Sequence, residues 1–310
     1  HCNGCHTIHN SEDGALVDGN MPNGNDHLLR DRNPSTICIG CHDHIDETFP
    51  VTNQDPNIPP QERGAGNFVF LIEDNLNDGH DGANHPIIGD AAGHNIVSFD
   101  YGLAADGTLI MAPGGTYQAA DFSCTSCHDP HGSDAFRFLY GANNGRPGYP
   151  AFTAAAPDAD GLPIFDWTFA GLQYESKTNH TAYKGGMSAW CGNCHGDFHN
   201  NGTKLIHKSG TTMGGYNTIY NSYNGSDDLF GGSALTSYIP EVPFEDSTAA
   251  IGSTAGPTGS SQVSCISCHR AHATSAPDAT RWDMNVTHLA ADGDESGSYA
   301  IPNPYTVYQR

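Results

Sequence analysis

Residues 124–131 read Cys124-Thr125-Ser126-Cys127-His128-Asp129-Pro130-His131, and the pattern of the first five, C-x-x-C-H, occurs five times in the chain. The other copies are Cys2-Asn3-Gly4-Cys5-His6, Cys38-Ile39-Gly40-Cys41-His42, Cys191-Gly192-Asn193-Cys194-His195 and Cys265-Ile266-Ser267-Cys268-His269. All 10 cysteines belong to these runs. C-x-x-C-H is the attachment signal of c-type haem. Two thiols add to the porphyrin vinyl groups, and the adjacent imidazole becomes the proximal iron ligand. Zinc is the competing reading, because two C-x-x-C pairs can hold one tetrahedral ion. Five pairs would strand one, and zinc does not require His after the second Cys. With 18 His in 310 residues, five such coincidences have odds on the order of one in a million. A disulfide framework fails as well, since cysteines two apart in C-x-x-C are typically redox-active rather than structural. The sequence therefore predicts five haem c groups, with His6, His42, His128, His195 and His269 as proximal ligands.

Working outward, the composition agrees. Apolar residues make up 37% of the chain, below the usual ~45–50%, while Gly and Pro number 37 and 19. A side-chain core is scarce, yet there are 62 residues for each motif. Flat apolar porphyrins wrapped by loops take the place of that core. The expected fold is mostly irregular coil, with short helices after the haem motifs and few short strands, in one domain spanning 1–310. The longest apolar run, 68–72, is far below the ~20 residues a membrane span needs. The chain opens at His1-Cys2, which reads as an exported, processed terminus.

Successive first cysteines are 36, 86, 67 and 74 residues apart, and the sequence between motifs does not visibly repeat. Gly/Asn/Asp/Ser-rich stretches at 11–25, 74–84, 141–150, 209–226 and 247–261 read as turns and loops, the last being the best linker candidate. Apolar and β-branched residues at 67–72 and 96–101 predict brief strands, and 26–30 a short helical turn. Acidic clusters at 158–161 and 292–295 read as solvated turns; neither completes a calcium loop.

An iron with two His ligands passes electrons, whereas an open one binds small molecules. Each motif has a second His close behind it: His9, His44, His131, His199 and His272. In His6-Thr7-Ile8-His9, His128-Asp129-Pro130-His131 and His269-Arg270-Ala271-His272 the spacing is the same. On a helical turn two such rings lie only ~5–6 Å apart at Cβ, too close to straddle one porphyrin. The second His of each pair should therefore serve a neighbouring iron and draw two haems together. The preferred distal ligands are His9, His131, His272, His94 and His207, with His85, His180 and His199 as substitutes. His27, His288, His80 and His1 are weaker, and no Met sits in a recurrent context.

Cys5-His6-Thr7-Ile8-His9-Asn10-Ser11, residues 127–132, 194–199 and 268–273 together resemble the doubled-CXXCH multihaem c-type cytochromes of the extracellular, filament-forming (OmcS- and OmcE-like) type. The resemblance implies bis-His haems in alternating stacked and T-shaped pairs, an extracellular location, and one distal His given by the next subunit. The five motifs here differ from the six and four of the types named. A first motif at residue 2 has almost no chain before it to cover its haem. A neighbouring copy could cover it, in a head-to-tail contact that extends to a filament.

The resulting expectation is a non-enzymatic electron conduit. The alternative is a multihaem reductase resembling nitrite reductase, which needs an open iron with proton-delivering groups. Enzymes of that type mark the catalytic haem with Lys, whereas all five motifs here keep His and the chain has four Lys. A mineral-binding matrix protein is a third class. With 12 Lys+Arg against 35 Asp+Glu, a net −23, nucleic acid and anionic membranes are excluded as main partners. Basic cytochromes and ferric mineral surfaces fit, and so does a second copy of the chain held by its haems.

Overall fold

In each C-x-x-C-H run the residue after the second cysteine is four along from the first, so one backbone bond can close the run into a single turn. The computed structural model, which describes residues 2–42, 65–72, 76–77, 86–87, 91–144, 151–161, 180–199, 207–222, 242–253, 255–274 and 277–281, contains that bond repeatedly. The amide of His6 donates to the Cys2 carbonyl, His128 to Cys124, His195 to Cys191 and His269 to Cys265, at 2.9–3.0 Å. The α-helices are α1 (Pro34–His42), α2 (Met187–Cys191), α3 (Tyr216–Ser222) and α4 (Cys265–Cys268), and 3-10 turns cover Cys2–Gly4 and Cys124–Ser126. Every motif thus sits on or at the end of a helical turn. The helices coincide with the motifs more than they follow them, Gly196–His199 being a turn that does follow one.

Strands are short and paired in antiparallel twos: β1 (Ser11–Glu12) with β2 (Ala15–Leu16), β3 (Leu76–Asn77) with β4 (Pro86–Ile87), β5 (Asp158–Asp160) with β6 (Ala182–Gly185), and β7 (Thr211–Thr212) with β8 (Gln262–Val263). The rest of the described chain is turn and coil, as the composition requires. Several local expectations are corrected. Residues 67–72 form a 3-10 turn, Phe68–Leu71, rather than a strand. A strand would send alternate residues to opposite faces, whereas Phe68, Phe70 and Leu71 all enter one core with Ile39, Ala92, Ile96, Leu103 and Ala273. Residues 96–101 end in a turn, Phe99–Tyr101, closed by Ser98 bridging to Leu103. The acidic cluster at 158–161 supplies β5 instead of a free turn, with Asp160 paired to Lys184 at 2.5 Å. The 209–226 stretch holds β7 and α3. The linker candidate at 247–261 is tied down by Asp246, whose carboxylate accepts from the hydroxyls of Thr248, Thr258 and Ser261.

The apolar core lies between α1 and the third motif, with Cys124 packed against it. Phe70 is 1% exposed and Phe99 63%. Phe70→Ala should therefore cost about 3–5 kcal/mol, while Phe99→Ala should stay within about 1 kcal/mol. Denaturant unfolding of the two variants checks this; equal losses would mean the core is not where stability resides.

Candidate cofactor-binding sites

A C-x-x-C-H turn places an imidazole but does not orient it; a second contact must do that. For His6, His128 and His269 the structure supplies the same one each time. The ring Nδ1 lies 3.0 Å from the carbonyl oxygen of His27, 2.8 Å from that of Arg137 and 2.8 Å from that of Asp278. A carbonyl only accepts, so Nδ1 carries the hydrogen and Nε2 keeps its lone pair for a metal. The three acceptors share a conformation. His27-Leu28, Arg137-Phe138 and Asp278-Ala279 are consecutive left-handed pairs with φ of 52–59°. The backbone around them also repeats. Thr7, Asp129 and Arg270 donate to the carbonyls of Leu28, Phe138 and Ala279, and Arg30, Tyr140 and Arg281 donate back to those of Cys5, Cys127 and Cys268. Each doubled motif is therefore an antiparallel bridge, His6 to Leu29, His128 to Leu139 and His269 to Thr280. That corrects the helical turn assumed for the His-x-x-His spacing; His269, for example, is extended at φ −115°, ψ 160°.

The fourth motif reaches the same end differently. His195 Nδ1 lies 2.7 Å from the Pro113 carbonyl oxygen, and Asp197 donates to Gly114. A Cβ on Gly115 would lie 1.7 Å from the Cys194 carbonyl oxygen, so only glycine lets this loop close on the motif.

Second imidazoles face four of the proximal rings. His131 faces His6 at 6.2 Å between ring centroids, His272 faces His128 at 6.4 Å, His94 faces His195 at 5.9 Å and His207 faces His269 at 6.4 Å. Two imidazoles each about 2 Å from a shared metal put their centroids at roughly 6 Å. The structure thus brings together His131, His272, His94 and His207 with proximal rings from other motifs. His9 is exposed. His180 is half-buried, its carbonyl accepting from the Gly252 amide, and His199 ends the 3-10 turn after the fourth motif. His1, His44, His80, His85 and His288 lie outside the described residues.

Three of these rings, His94, His128 and His272, are held in neutral form. Burial, with neighbouring imidazoles adding to it, pushes His94 down to about 4 and His272 down to about 3, and lowers His128 as well. His272 sits in a strip hydrogen-bonded on both sides, its amide to Ala65 and its carbonyl to the His94 amide. His94 Nδ1 is 2.7 Å from the Ala271 carbonyl oxygen. Burial pushes Cys127 up to about 12 and raises Cys194 and Cys268. None of the ten is in a disulfide. Among the described residues, no three His, Cys, Asp or Glu side chains converge as zinc would need. Free thiol pairs beside a neutral, oriented imidazole fit haem c.

Two further contacts escaped the sequence reading. The Cys38 side chain lies beside that of Cys124, and Cys191 beside Cys265. Beside them Ser35 Oγ accepts from the Cys124 amide at 3.2 Å and Ser188 Oγ from the Cys265 amide at 3.3 Å. The signal was present: a serine three residues before the first cysteine of motifs two and four, and Ser-Cys-x-Ser-Cys-His in motifs three and five.

Helices assigned to thioether turns and carbonyls assigned to imidazoles define a multihaem c-type cytochrome. The family model of the doubled CXXCH motif matches residues 118–146, the third motif with its left-handed turn. The C-type cytochrome OmcS of Geobacter sulfurreducens is 33% identical over 363 residues, covering 96% of this chain and 82% of that protein. Solved structures of OmcS nanowires and of the outer membrane cytochrome S filament, both from that organism, superpose with TM-scores of 0.77 and 0.76. Their identities are 29% and 28%; they cover 99% and 100% of this chain, and this chain covers 93% of each. The chain belongs to the OmcS family of multihaem c-type cytochromes.

Gly115→Ala should cost about 1–3 kcal/mol through overpacking and pull the Pro113 carbonyl off His195, visible as a change in the haem absorption of a single site; unchanged spectra and stability would refute the close approach. Stability should also depend on pH. A His whose folded pKa is depressed stays neutral in the fold while the unfolded chain takes up its proton, so stability falls as pH drops below the unfolded value of about 6.5. The carboxyls of buried Glu245 and half-buried Asp31, which desolvation pushes up, act in the opposite sense and blunt the slope. The denaturation midpoint should decline from pH 7 to pH 4, and a flat profile would contradict neutral, buried His94 and His272.

Proposed function

We propose that the protein is an electron conduit carrying five haem c groups, one at each C-x-x-C-H turn, and that it works as an extracellular filament subunit rather than as an enzyme. The observation that carries this reading is the set of four imidazole pairs at 5.9–6.4 Å, each joining a motif histidine to one distant in sequence. Bound haem supplies one-electron exchange at iron. The chain does the rest: Cys2/Cys5, Cys38/Cys41, Cys124/Cys127, Cys191/Cys194 and Cys265/Cys268 anchor the macrocycles. His6, His42, His128, His195 and His269 bind iron from one side. His131, His272, His94 and His207 bind from the other at the first, third, fourth and fifth motifs. For the second motif His85, His180 and His199 remain candidates, together with His9 from a neighbouring subunit. Carbonyl clamps fix ring orientation, and burial keeps His94, His128 and His272 neutral and ready to bind.

The reductase alternative needs an open iron, and rings facing four proximal histidines argue against it. Assembly is supported by the OmcS relatives, whose solved structures are nanowires and filaments. No helix among the described residues is long and apolar enough to cross a membrane. The formal net charge of −23 suits electron exchange with basic cytochromes and ferric minerals.

Optical and paramagnetic-resonance spectra of the purified protein should be wholly low-spin, with no carbon monoxide adduct on reduction, and electron micrographs of sheared cell-surface material should show filaments. A high-spin ferric signal with carbon monoxide binding would favour the reductase; isolated particles alone would remove the filament.

A further inference from the structure

The described motifs two to five form two copies of one module. In the first, α1 carries motif two and ends against the turn of motif three; in the second, α2 carries motif four and packs on α4, which carries motif five. Ser35 is three residues before Cys38, and Ser188 three before Cys191. Each serine reaches across to the amide of the first cysteine of the other motif, over sequence separations of 89 and 77 residues. Ser35 is fully buried and Ser188 6% exposed. On the receiving side, the Ser123 amide donates to Ser126 Oγ around the Cys124 turn, and the Ser264 amide donates to Ser267 Oγ around the Cys265 turn. The amides of Cys124 and Cys265 are first-turn donors with no partner inside their own helices. The outcome in both modules is contact between the first cysteines of the two motifs. The surroundings are otherwise unlike: α1 has nine residues and α2 five, and the residues between the cysteines differ. Sγ of a first cysteine is where the macrocycle hangs, so whatever sets that contact sets how two macrocycles approach.

We infer that Ser35 and Ser188 are positioning residues that hold the haems of motifs two and three, and of motifs four and five, at fixed separation within two tandem pairs. This rests on the haem attachment proposed above. Each hydroxyl ties one anchoring turn to the other, so its loss frees two macrocycles to shift while their own cysteines and imidazoles stay in place. The serines act through the backbone of Cys124 and Cys265.

Circular dichroism in the Soret region reads the geometry, because close haems couple into a two-signed band. Ser35→Ala and Ser188→Ala should each remove roughly half of that signal, and together most of it, as independent sites add. Ser188→Thr, which keeps the hydroxyl, should restore it. Intact-mass measurement of covalently added porphyrins separates the two levels. Fewer than five in the unaltered protein would sink the haem reading itself. Five porphyrins in the alanine variants with an undiminished band would overturn the serine assignment, and so would lowered unfolding temperature with that band intact. Should one alanine variant fail to accumulate, the other module supplies the same test.

Discussion

An imidazole on a one-turn peptide loop has free rotation about its side chain, and this fold depends on removing that freedom. It does so with a backbone carbonyl aimed at Nδ1. The aim is costly. A carbonyl can turn back toward the ring in the doubled motifs only where two successive residues adopt the left-handed conformation, which for non-glycine residues costs about 1–2 kcal/mol each. Six of the eight non-glycine residues with positive φ among those described belong to these three turns. Strain of this kind persists only where surrounding structure over-determines it. Here the reciprocal bonds from Arg30, Tyr140 and Arg281 back to the second cysteine of each motif do so.

From that clamp the rest of the architecture follows. A carbonyl directed into a site must come from a loop, because carbonyls within a helix or strand are already committed to the ladder. The described chain is therefore mostly loop, its strands reduced to two to four residues each. Side chains that would fill a core are replaced by buried serines and asparagines bonding backbone groups, as at Ser35, Ser267, Asn10 and Asn221. The small apolar core under α1 packs one motif pair rather than the whole chain.

This asymmetry explains what could be read in advance. The motifs, the proximal rings and the coil-rich character rest on covalent chemistry and composition, which are local. The pairing of His131 with His6 and His272 with His128 was legible as a tendency, because a second ring three residues on cannot straddle the same macrocycle. The reason assumed, a helical turn, was not the one realised. The left-handed clamps were hard to see: His27-Leu28, Arg137-Phe138 and Asp278-Ala279 share no residue type, none contains glycine, and only His27 and Asp278 are of the types enriched at positive φ. In the first motif the acceptor is 21 residues from its ring, in the others nine, so no fixed spacing betrays it. The 67–72 strand failed because a cluster of apolar residues cannot tell a two-faced strand from a one-faced buried turn.

The direction of the imidazole hand-over bears on assembly. Motif three gives its second ring to motif one, and motif five gives its second ring to motif three. Each doubled motif thus passes a ring to the doubled motif before it, so the relation is a translation and not an exchange. A reciprocal exchange would close on itself as a two-fold pair; a one-way relation does not. His9 is the corresponding second ring of motif one, and it is exposed. Under the proposed function, a neighbouring copy laid head to tail would supply the iron that takes this ring. The contact that orients one haem inside the chain would then be the contact that sets the repeat of a filament.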